Sequence, residues 1–61
     1  MTRSEFKAAG VKLAKHVSIL GNRLDAFALF GKTAEYKETL IETRAAFMKM
    51  IDLFDQHLES L

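Results

Sequence analysis

Two runs of apolar residues advance in alternating steps of four and three, and Gly31-Lys32 separates them. The first run is Phe6, Gly10, Leu13, Val17, Leu20, Leu24 and Phe27, in which a glycine holds one seam position. The second is Tyr36, Leu40, Thr43, Phe47, Met50, Phe54, His57 and Leu61. A 4-3 spacing places every member on one stripe of an α-helix, whereas strand side chains change face at each residue. The chain has no proline to break a helix from within. The direct reading is an all-α fold with helices over residues 3–30 and 34–59 of a single small helical domain spanning 1–61.

Folding the two seams back about Gly31-Lys32 brings them into register as an antiparallel hairpin. Phe27 then faces Tyr36, Leu24 faces Leu40, and Leu20 faces Thr43. Val17 faces Phe47, Leu13 faces Met50, Gly10 faces Phe54, and Phe6 faces His57. Gly10 against Phe54 sets a small residue opposite a large ring, as dense packing favours.

Local signals agree with these limits. Thr2-Arg3-Ser4-Glu5 has the form of a capping box, in which the threonine hydroxyl and the glutamate carboxylate each accept from the other's backbone N–H. Gly31 suits the left-handed residue that ends a helix, and Thr33 is expected to cap the second one. A competing architecture breaks the first helix at Gly21-Asn22, giving a three-helix bundle over 3–20, 23–30 and 34–59. The seam keeps its phase across that glycine, through Leu20, Leu24 and Phe27, which favours the hairpin.

A chain of 61 residues that is 49% hydrophobic has more apolar surface than two helices can hide from water. The surplus lies beside the seams. Ala14, Gly21 and Ala28 recur every seven residues on the first helix, and Ile41, Met48, Ile51 and Leu58 flank the second. Those seven are the expected protein-interface residues, and a homodimer forming a four-helix bundle is the simplest way to cover them.

Charge is unevenly placed. Residues 1–30 carry five basic and two acidic side chains, and residues 31–61 carry four and six, although the whole chain is only +1. Arg3 and Lys7 lie at the helix end that disfavours cations, as do Asp52, Asp55 and Glu59 at the end that disfavours anions. The hairpin makes these ends neighbours, so ion pairing across the helices is expected to offset the penalty.

Several letter patterns resemble chemistry and have a simpler explanation. Ala26, four residues and then Gly31-Lys32-Thr33 match a phosphate-binding loop, but such a loop follows a strand, and Phe27 to Phe30 read as helix. His16 and His57 fall far apart along a hairpin, without metal-ligand spacing. The sets Glu35/Glu38/Glu42 and Asp52/Asp55/Glu59 have the spacing of solvated helix faces. No nucleophile lies beside a base, and a thin rod offers no enclosed site. The expectation is therefore no enzymatic activity, no cofactor, no metal and no small-molecule substrate.

Absence of cysteine excludes disulfides, and no apolar run is long enough to span a membrane. With no secretory signal pattern at Met1, a soluble cytoplasmic protein is expected. The functional reading is a small non-enzymatic homodimeric regulator or inhibitor that binds another macromolecule, with a protein as the leading partner. The alternative is nucleic-acid binding (RNA or DNA) by the basic face of the first helix, through Lys7, Lys12, Lys15 and Arg23.

Overall fold

The computed structural model describes all residues, Met1–Leu61, as two helices. Helix α1 spans Arg3–Leu29 and α2 spans Thr33–Glu59, packed antiparallel into a rod with Cα extents of 45 × 15 × 9 Å. The observed limits lie one residue before the expected end of α1 and one before the expected start of α2.

The N-terminus of α1 forms the capping box. The Thr2 hydroxyl accepts from Glu5 N–H at 3.1 Å, and Thr2 N–H donates to the Glu5 carboxylate at 3.0 Å. The Thr2 N–H, and beside it the Thr2 hydroxyl, stabilise the ionised carboxylate and hold Glu5 below its usual pKa. Helix α1 then runs without interruption through Gly21-Asn22, so the three-helix architecture is not adopted. Gly21 lies half-buried beside the seam, and continuous packing of Leu20 and Leu24 on α2 holds the helix through it.

The turn is a Schellman motif. Lys32 N–H donates to Phe27 O at 2.8 Å, Gly31 N–H donates to Ala28 O at 3.4 Å, and Gly31 has φ of +66°. Gly31→Ala would place a Cβ on that left-handed backbone with no atom within 4 Å to relieve or worsen it. The strain alone is expected to destabilise the hairpin by about 1–2 kcal/mol, read as a lower midpoint in urea by circular dichroism. Thr33 is not the cap. Lys32 occupies the N-cap position with no side-chain bond, and Thr33 is already the first helical residue. The turn is so short that Thr33 N–H instead donates to Gly31 O at 3.1 Å.

The seam of α1 is buried or half-buried at all seven expected positions, with Leu20 at 0% exposure. On α2 three of the eight expected seam positions face inward, and Tyr36 and Leu61 at its two ends are exposed. Thr43, Met50 and His57 face inward as expected, but Thr39, Ala46 and Leu53 are buried in place of Leu40, Phe47 and Phe54. At 100° per residue this rotates α2 by about 45° from the expected orientation. Residue size is the cause: helices that touch lie roughly 8–10 Å apart, and threonine and alanine permit that approach while rings hold it off. The buried Thr39 hydroxyl is satisfied by donating to Glu35 O at 2.7 Å, and Thr43 donates to Thr39 O at 2.7 Å.

At the end of the rod away from the turn, Phe6 stacks on His57 with centroids 4.4 Å apart and planes 11° from parallel. Phe54 approaches the same ring at 5.3 Å, tilted by 59°. The hydrogen bond joining the two ends runs from Ser60 Oγ to Met1 O at 3.1 Å. Ring packing and this bond join the ends; the expected pairing of Arg3 and Lys7 with Asp52, Asp55 and Glu59 contributes no hydrogen bond. Long charged side chains at exposed helix ends remain solvated because an exposed pair contributes only about 0–1 kcal/mol.

Candidate interaction surface

One side of the hairpin carries an unpartnered apolar face, and the rotation of α2 creates it. Leu40 and Phe47 are swung off the contact with α1, Phe54 keeps a tilted ring contact with Phe6, and the three are 44%, 50% and 52% exposed. Ile51 and Leu58 lie alongside them and are more exposed still. Helical spacing makes these five side chains one continuous stripe about 27 Å long, at 1.5 Å rise per residue from Leu40 to Leu58. Ala14 and Ala28, exposed, and Gly21, half-buried, line the adjacent edge of α1.

Among the residues expected from sequence at a protein interface, Ala14, Gly21, Ala28, Ile51 and Leu58 thus share this side. Ile41 and Met48 are exposed but turn onto the outer surface of α2, pointing away from α1. Sequence reasoning assigned Leu40, Phe47 and Phe54 to the hairpin seam and so missed them as surface residues. The signal was present in the neighbouring letters: Thr39, Ala46 and Leu53 form a second 4-3 stripe with Thr43 and Met50, made of smaller side chains.

The opposite side holds a shallow groove of about 650 Å³ where Lys12 and His16 of α1 meet Glu42 and Lys49 of α2 across small residues such as Ala46. Of the four basic residues expected to contact nucleic acid, Lys12 alone lines this groove. At 100° per residue Lys15 and Arg23 fall within about 80° of Lys12, while Lys7 lies well apart on the apolar side. His57 Nδ1 is buried with no hydrogen-bond partner, against the Phe6 ring. His16 is exposed and remote from it.

No helix is long and apolar enough to cross a membrane. The chain matches no protein-family model, no curated protein and no solved structure.

Proposed function

We propose that this protein is a small non-enzymatic interaction protein, a homodimeric regulator or inhibitor whose two hairpins pair through the α2 stripe into a four-helix bundle. The observation that carries the reading is a surplus of surface. A compact monomer of 6.9 kDa would expose roughly 4000 Å² by the size scaling of folded proteins. The hairpin exposes 4930 Å². The excess of about 900 Å² is close to the ~800 Å² each partner hides in a standard interface.

The two directions of α2 support the same reading. A helix in a square bundle has two neighbours, and the bundle axis lies roughly 45° from the line to either one. The 4-3 seam of larger residues, Leu40, Phe47 and Phe54 with Tyr36, Thr43 and Met50, is turned by about that angle from the line to α1. It points where a bundle axis would be. Only four residues are buried in the hairpin by itself, a small core that a second copy would enlarge.

In such a bundle Ile41 and Met48 stay on the outside, as an apolar strip free to engage the regulated macromolecule. Solution mass against concentration tests the dimer, and a persistent 6.9 kDa species at high micromolar concentration would overturn it. Ile41→Lys/Met48→Lys is expected to leave the dimer mass unchanged and to weaken binding of a co-purifying partner at least 10-fold by titration calorimetry. Unchanged affinity would remove these two residues from the binding surface.

A further inference from the structure

We infer that, in the dimer proposed above, the two hairpins associate head to head, so that α2 of each copy packs on α1 of the other and both turns lie at one end. This rests on the homodimer reading and fixes its symmetry: a two-fold axis along the rod. The competing arrangement has a two-fold across the rod, which sets α2 on the partner's α2 and α1 on the partner's α1, with the turns at opposite ends.

Shape complementarity decides between them. The apolar side pairs a ridge of large residues on α2, Leu40, Phe47 and Phe54, with an edge of small ones on α1, Ala14, Gly21 and Ala28. A two-fold across the rod would set ridge against ridge and leave the two small edges apart. A two-fold along the rod sets each ridge onto the partner's small edge, twice, as a self-complementary interface requires. The heights match for two of the three ridge residues, Leu40 and Phe47, while Phe54 lies beyond the small edge at the height of the partner's Lys7. With Gly31 at the turn and Phe6 stacked on His57, residues at one height have numbers adding to about 63. An axis along the rod preserves height, so Leu40 arrives near the partner's Gly21 and Phe47 near the partner's Ala14. Lys37 arrives beside the partner's Asp25, opposite charges at the rim.

Gly21 supplies a separate observation. A glycine inside a helix costs roughly 1 kcal/mol relative to alanine, yet a Cβ at Gly21 would meet nothing within 4 Å in the hairpin. The hairpin gives no reason for glycine there, and a large side chain from a second copy seated over it does.

Because the chain has no cysteine, Lys32→Cys carries a single nitroxide at the turn, and pulsed electron spin resonance reads the distance between copies. Head-to-head pairing is expected to hold the two turns within about two helix widths, roughly 20 Å before the label linkers. A distance near the 45 Å rod length with an intact dimer would overturn the arrangement and leave the dimer standing, whereas a monomeric mass would overturn both. Gly21→Ala gives the independent reading. It is expected to leave the hairpin equally or more helical while weakening dimerisation about 10-fold in sedimentation. An unchanged dissociation constant would show that no partner side chain sits over Gly21.

Discussion

Leu20→Ala is expected to cost about 2–5 kcal/mol, the range for truncating a buried leucine. Leu20 is the one large side chain fully removed from solvent. It lies near mid-rod, where neither end can fray to relax the cavity. Folded domains retain roughly 0.05–0.15 kcal/mol per residue. For a chain of 61 residues that is a total of about 3–9 kcal/mol, so the substitution removes a large share of it. Urea unfolding followed by circular dichroism at fixed protein concentration measures the loss. Leu29→Ala is the control, since Leu29 is mostly exposed at the end of α1 and should change stability by no more than about 0.5 kcal/mol. A loss at Leu20 no larger than that of the control would mean that the seam is not what holds the helices together.

The contrast between those two leucines shows what the letters reveal and what they do not. Position on the 4-3 seam alone separates Leu20 from Leu29, and the same rule places all seven seam residues of α1. Local signals are equally readable where one conformation satisfies them: Thr2 and Glu5 close their box, and Gly31 adopts positive φ. Thr33 fails because two caps competed for one turn. The Schellman bond from Lys32 to Phe27 leaves no room for a separate N-cap residue, and the backbone bond is the one that forms. The orientation of α2 fails for a different reason. Its apolar arc runs from Leu53 round to Ile51 and is wide enough to serve two partners, so periodicity gives the centre of the arc and not the part that meets α1. Size within the arc decides that, through Thr39 and Ala46. The ion pairs do not form because charge proximity at exposed helix ends carries little free energy.

Phe47→Asp is expected to separate the proposed dimer while leaving the contact between α1 and α2 in place. Phe47 lies near the middle of the stripe and is half-exposed in the hairpin, so the substitution removes little that the single chain buries. In the proposed bundle the same ring would be enclosed, and a carboxylate there must either lose its hydration or hold the interface open. Central aromatic residues of interfaces typically contribute at least about 2 kcal/mol. The two-fold doubles every substitution, giving at least about 4 kcal/mol, a roughly 1000-fold weaker dissociation constant. Sedimentation at micromolar concentration should therefore show the mass falling to 6.9 kDa. Thermal stability should fall with it and become independent of protein concentration, because association stabilises only what remains dimeric. Lys49→Asp makes the informative comparison: it puts the same carboxylate only two residues away but on the groove side, where no copy is expected. If both variants remained dimeric, the association would not use the α2 stripe; if both became monomeric, added acidity rather than placement would be responsible. Loss of the dimer in Phe47→Asp alone is the outcome that an enclosed ring requires.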